Sequence, residues 1–131
     1  MKKHHTIVIV GAGGIAEAAG LILMEWSAIK PTLFIGNRTY SKALKVARWI
    51  EQGTTDPCKI SSFHLPEEGL TDVMKEILLQ SDLLLDCLPG NLAPKMARLA
   101  KNYHLHYANL TEYVAETEEI MHLAKDASTG F

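Results

Sequence analysis

Cysteine is scarce in this chain of 131 residues: there are two, Cys58 and Cys87, far apart and without a CxxC pair. That pattern argues against a disulfide-stapled secreted scaffold and predicts a reduced protein with no disulfide. An excess of either charge is missing too. Thirteen Lys and Arg stand against fifteen Asp and Glu, for a formal net charge of -2. The basic residues are spread along the chain, so the footprint of a nucleic-acid or anionic-membrane binder is absent, and neither partner is expected. No apolar run approaches the ~20 residues of a membrane span. The opening apolar stretch, residues 6 to 10, meets glycines at once and Glu17 soon after, which reads as a strand and not an export signal. A cytoplasmic location is the expectation. Repeats, low-complexity tracts and Pro/Gly/Ser linkers are also lacking, which predicts one domain. A chain of this size hides roughly two-thirds of its unfolded surface, enough for a core without metal or disulfide staples.

What is there is an alternation of short apolar runs with helical spacing. Residues 6 to 10 are entirely β-branched and bounded by Gly11, the pattern of a strand buried on both faces. A helix is predicted from residue 14 to about 27, then a strand over 33 to 35 ended by Gly36-Asn37. The next helix has Thr39 or Ser41 as its cap, Ala43, Val46, Ala47 and Ile50 on one face, and Gly53 as its stop. A weaker strand spans 58 to 63, and Leu70, Val73, Met74, Ile77 and Leu78 mark a third helix. A fourth strand over 83 to 88 is cut off by Pro89-Gly90. Ala93, Met96, Ala97 and Ala100 line a fourth helix, residues 105 to 108 make a fifth strand, and a last helix over 113 to 125 presents Val114, Thr117, Met121 and Ala124. Strands alternating with helices imply βαβ units with right-handed crossovers. The expected fold is α/β, a doubly wound parallel sheet in three αβα layers, of the NAD(P)-binding Rossmann kind.

The first turn carries the chemistry. Gly11-Ala12-Gly13-Gly14-Ile15-Ala16 fits GxGxxG/A between a strand and a helix. The first glycine permits the tight turn and the second lets backbone N–H groups approach a pyrophosphate at a helix N-terminus, where the dipole favours anions. Gly11, Gly13, Gly14 and Ile15 are therefore candidate cofactor contacts, and Ala16 is small enough for helix to pack on strand. A plain tight turn of another α/β fold is the alternative; a Walker-type GxxxxGK is absent. The fingerprint also predicts an acid at the end of the second strand to take the ribose hydroxyls of NAD. That stretch reads Gly36-Asn37-Arg38-Thr39, with no carboxylate. The Arg38 fork can pair with a 2′-phosphate or stack on adenine, and Thr39, Ser41 and Lys42 add hydroxyls and a second cation. NADP(H) is favoured over NAD(H), with Asn37, Arg38, Thr39 and Lys42 as adenosine-side contacts. The alternative is that Arg38 and Lys42 are solvated residues at a helix start.

Two later segments carry a resemblance. Residues 81 to 90, SDLLLDCLPG, and 104 to 112, HLHYANLTE, together with Gly11 to Ala16 and Asn37-Arg38-Thr39, resemble the N-terminal NADP-binding domain of the saccharopine dehydrogenase (saccharopine reductase) family over nearly the whole chain. The glycine loop is shared widely, whereas the Cys87-Leu88-Pro89 and His106-Tyr107 to Glu112 segments are more distinctive. The resemblance implies an oxidoreductase transferring hydride at a carbon–nitrogen bond between amino acid and 2-oxo acid partners, with NADP(H) as cofactor. It also implies a second domain that supplies most of the pocket for an amino acid or imine substrate and the interface of a homodimer. Catalytic residues are then expected outside this chain, which reads as the N-terminal part of a longer two-domain enzyme; residues 128 to 131 read as the start of a sixth strand. Asn109 stands where the family usually has Asp, and Asp86 where it often has Asn. Asn37-Arg38-Thr39 also resembles shikimate dehydrogenase and glutamyl-tRNA reductase locally, but the Cys-Leu-Pro segment argues against both.

Cys87, Leu88 and Pro89 fall at the carboxyl end of a strand, where ligands bind in open α/β sheets. Leu88 and Pro89 are expected against the nicotinamide or its ribose. Cys87 has no local cation to lower its pKa and reads as a structural thiol. Asp86, a charge in an apolar strand, is expected to accept backbone hydrogen bonds. His104 and His106, two apart, would share a strand face, but a third metal ligand is lacking and no metal site is expected. Glu112, Glu116, Glu118 and Glu119 complement a helix dipole. Two other classes are compatible with the glycine loop: a regulatory nucleotide-sensing module that gates a channel or transporter, and a scaffold without cofactor. The sensing modules usually carry the strand-two acid that is missing here.

Overall fold

The computed structural model describes residues 4–55, 59–110 and 114–131. Five strands, β1 (Thr6–Val10), β2 (Thr32–Asn37), β3 (Ile60–His64), β4 (Leu83–Asp86) and β5 (His106–Asn109), alternate with helices α1 (Gly14–Trp26), α2 (Tyr40–Gly53), α3 (Asp72–Gln80), α4 (Ala93–Asn102) and α5 (Val114–Ala124). The sheet order is β3-β2-β1-β4-β5 and every pairing is parallel. This is the Rossmann order, with its reversal between β1 and β4. Cys58, Thr111, Glu112 and Tyr113 lie outside the described residues, so the expected start of β3, the Glu112 contribution and the first residue of the last helix fall there.

All five residues of β1 are buried because helices cover both faces of the central strand. On one side Ile7, Ile9, Leu33 and Ile35 pack against Ala16 and Met24 of α1 and Ala43, Val46, Ala47 and Ile50 of α2. On the other, Val8, Val10, Leu84 and Tyr107 meet Met74, Ile77 and Leu78 of α3, Met96, Ala97 and Ala100 of α4, and Ile120 of α5. The predicted inner faces of α2 and α4 are thus the buried ones.

Several expectations are corrected. Of the residues expected to mark the third helix, Met74, Ile77 and Leu78 are buried, whereas Leu70 precedes α3, which begins at Asp72 with Thr71 as its cap, and Val73 is 60% exposed. In α5 the buried residue is Ile120, with Leu123 and Ala124 half-buried, while Val114, Thr117 and Met121 face solvent. The Arg98–Glu119 ion pair of 2.8 Å to α4 goes with that rotation. β4 ends at Asp86 instead of residue 88, since the Asp86 Oδ1 accepts from the Leu88 amide at 3.0 Å and bends the chain out of the sheet. Gly53 closes α2 with an ordinary backbone; a Cβ there would stand 2.9 Å from Leu21 Cδ1, so it serves the packing of α2 on α1. His104 takes a left-handed turn (φ 56°) before β5, so it does not share a strand face with His106. Among the described residues no three His, Cys, Asp or Glu gather to hold a metal. Residues 128–131 are not assigned as strand, although the Gly130 carbonyl accepts from the Tyr107 amide at 3.0 Å along the outer edge of β5.

Candidate functional site

At the carboxyl ends of the strands the loops after β1, β2, β3 and β4 surround a cleft of about 720 Å³. Parallel strands make this inevitable: every strand exits on the same side, and the connections diverge where the strand order reverses.

The β1 exit is held on both sides. The Gly11 amide donates to the Gly36 carbonyl at 2.8 Å, and the Cys87 amide to the Val10 carbonyl at 2.8 Å. Gly11 has φ +110°, and a Cβ on it would lie 2.8 Å from the Cys87 carbonyl oxygen. This turn therefore needs glycine for conformation and for space. Gly13 caps α1 with extended backbone (φ −96°, ψ −170°) and, being glycine, offers no side-chain cap to the helix's first amides. A Cβ on Gly13 or Gly14 would meet nothing within 4 Å. Bare backbone at an uncapped helix N-terminus fits a bound pyrophosphate. Gly11 and Gly13 line the cleft; Gly14 and Ile15 follow as the first residues of α1 and stand outside its lining, with Ile15 57% exposed.

Asn37, Arg38, Thr39 and Lys42 line the same cleft at the exit of β2. Thr39 is the N-cap of α2 without a side-chain cap bond, and the Asn37 Nδ2 donates to the Thr39 carbonyl at 3.1 Å. Across the reversal point stand Cys87, Leu88 and Pro89. The Cys87 thiol is pushed up to about 11 by burial and by the neighbouring Asp86 charge, which makes it an inert thiol at neutral pH. Asp86 itself is buried behind the turn. Its Oδ2 accepts from the Tyr107 hydroxyl at 2.7 Å, and that hydroxyl also lies 3.1 Å from the Ala93 carbonyl and accepts from Asn109 Nδ2 at 3.1 Å. Burial raises the Asp86 pKa above the ordinary carboxylate value, against the lowering effect of the Tyr107 and Leu88 hydrogen bonds.

The cleft also contains residues that the motifs do not mark: Leu65, Pro66 and Glu67 after β3, and Asn91, Leu92, Lys95 and Met96 after β4. A carboxylate therefore does reach the region of Arg38. Glu67 Oε1 lies 3.3 Å from Arg38 Nη1, and Lys95 Nζ donates to the Glu67 carbonyl. The signal for them was topological, since in a parallel sheet residues following any strand belong to the same rim.

A cleft of this form at the reversal point, with a glycine turn and cations at the second strand's exit, defines a dinucleotide-binding domain of dehydrogenase type. The sequence pattern described as the saccharopine dehydrogenase NADP binding domain matches residues 7–130, and the chain belongs to that family. No curated protein sequence matched. Among solved structures, apo saccharopine dehydrogenase (L-Glu forming) from Saccharomyces cerevisiae superposes with a TM-score of 0.72 at 14% identity, over 95% of this chain and 26% of that one. Levoglucosan dehydrogenase in complex with NADH and levoglucosan gives 0.67 at 18% identity, over 95% and 32%. Mycobacterium tuberculosis shikimate dehydrogenase gives 0.66 at 14% identity, over 91% and 42%. At these identities the likeness is one of fold. The chain spans between a quarter and under half of the length of these structures. Among the described residues no helix is long and apolar enough to cross a membrane.

Proposed function

We propose that this domain binds NADP(H) in preference to NAD(H) and serves an oxidoreductase that transfers hydride at a carbon–nitrogen bond between an amino acid and a 2-oxo acid partner. The observation that carries the cofactor choice is the placement of Arg38 and Lys42 at the exit of β2, in one cleft with the bare glycine turn. The carbon–nitrogen chemistry rests on the family to which the chain belongs.

In this reading Gly11 shapes the turn, its own amide being held by the Gly36 carbonyl, and the amides of Gly13, Gly14 and Ile15 hold the pyrophosphate. Asn37, Arg38, Thr39 and Lys42 take the adenosine 2′-phosphate, and Cys87, Leu88 and Pro89 shape the nicotinamide end. The bound cofactor supplies the hydride or accepts it; the chain binds and orients it. The amino acid or imine substrate and the acid–base groups are contributed by a second domain, as the greater length of the superposed dehydrogenases suggests, and a homodimer is part of the same proposal.

Parallel fluorescence titrations with NADPH and NADH at fixed salt test the cofactor choice. NADPH is expected to bind at least about tenfold tighter, a gap of ~1.4 kcal/mol, and Arg38→Ala is expected to close that gap. Equal or tighter binding of NADH by the unmodified protein would contradict it.

A further inference from the structure

We propose that Glu67 is a specificity-determining residue of this cleft, competing with the 2′-phosphate for Arg38 and so narrowing the preference for NADP(H). The inference rests on the cofactor reading above and adds a carboxylate that the glycine loop and the second strand do not encode.

The placement of Glu67 is built in from three sides. The Leu65 amide donates to the Asn37 carbonyl at 2.9 Å, which ties the exit of β3 to the exit of β2. Leu65 is buried in the core, and Pro66 follows it, so the chain leaves the sheet in a restricted direction. Lys95 of α4 holds the Glu67 carbonyl from across the cleft. The side chain then lies 3.3 Å from Arg38 Nη1. Both side chains are 72% exposed, so the pair contributes little to stability. Its consequence is for binding: the guanidinium best placed for a phosphate already has an anionic partner.

A 2′-phosphate must displace that carboxylate and then bring close to two negative charges beside it. An unphosphorylated ribose instead presents hydroxyls, which can donate to a carboxylate. Glu67 therefore acts against NADPH and not against NADH, and Arg38 prevails over it in the unmodified protein.

The test is Glu67→Gln, with Glu67→Asp as the variant that keeps the charge, each titrated with NADPH and NADH at low and moderate salt. Removing the charge is expected to tighten NADPH binding roughly fivefold, to leave NADH binding unchanged or weaker, and to have a smaller effect as salt screens the site. Glu67→Asp is expected to stay close to the unmodified protein. NADPH binding that is unchanged or weaker in Glu67→Gln, while the unmodified protein binds NADPH normally, overturns this inference and leaves the cofactor reading standing. Tightening of both cofactors alike also overturns it. Failure of the unmodified protein to bind either cofactor overturns both.

Discussion

Gly11→Ala is expected to destabilise the fold by about 3 kcal/mol or more, read as a lower urea midpoint at unchanged slope. At φ +110° an L side chain is strained whatever the space, and here there is none. The added Cβ would meet the Cys87 carbonyl oxygen at 2.8 Å and its carbon at 2.9 Å. That backbone cannot retreat cheaply, because the Cys87 amide is bonded to Val10 in the ladder between β1 and β4. The sheet must open where the cleft lies. Gly13→Ala is the matched control. Its backbone is one that alanine adopts and its Cβ would meet nothing within 4 Å, so stability should change by no more than about 1 kcal/mol. The methyl would stand where a pyrophosphate approaches, and dinucleotide binding should weaken at least about tenfold. Equal midpoints for the two variants would show that the glycine turn does not have the described geometry.

The second large effect is at Asp86. Asp86→Leu removes the acceptor for the Leu88 amide and for the Tyr107 hydroxyl in a site that is 2% exposed, at an expected cost of about 3 kcal/mol. Asp86→Asn should be mild. Its carbonyl oxygen can still accept from Leu88, and its amide can donate to the Tyr107 oxygen while the Tyr107 hydroxyl turns to the Ala93 carbonyl 3.1 Å away. The pH dependence separates the variants further. Burial raises the Asp86 pKa in the folded protein, so the native state holds this proton to higher pH than the unfolded chain does. Asp86 stability is then fully present below the ordinary carboxylate pKa, falls as pH rises from there through the raised folded value, and is level above it. Unfolding midpoints compared from pH 3 to pH 8 should show a falling contribution in the unmodified protein that Asp86→Asn lacks. Parallel pH profiles for the two proteins would mean that Asp86 is not perturbed.

These two sites differ in how far they were legible in the sequence. The glycine turn was so in its place and form, because a β-branched strand, GxGxxG/A and a helix are local; the fold itself demands glycine at Gly11, whereas Gly13 and Gly14 have open space beside them. The inner faces of α2 and α4 were also legible, since Ala43, Val46, Ala47 and Ile50, and Ala93, Met96, Ala97 and Ala100, leave each helix a single apolar stripe. α5 was not. Its Val114, Met121, Ile120 and Leu123 offer two overlapping stripes, and only packing against α4 decides between them. The Asp86 network needed β4 and β5 to be neighbours before Tyr107 and Asn109 met it. Glu67 likewise faces Arg38 only because β3 lies beside β2, a contact between residues 29 apart that no local motif encodes. In physical terms, backbone constraints and single-helix periodicity are written locally, while charge pairing across the rim is a product of topology.

The account stands on the cleft being a dinucleotide site whose pyrophosphate lies on the first turn of α1. The most direct test follows the backbone amides of the isotopically labelled protein by NMR during titration with NADPH. Saturable shifts are expected at Gly11, Gly13, Gly14 and Ile15, with Arg38 and Leu88 responding on either side of the reversal point at the same apparent affinity. Absence of a saturable change at the glycine turn, or shifts confined to the opposite end of the sheet around His4 and Lys59, would contradict it.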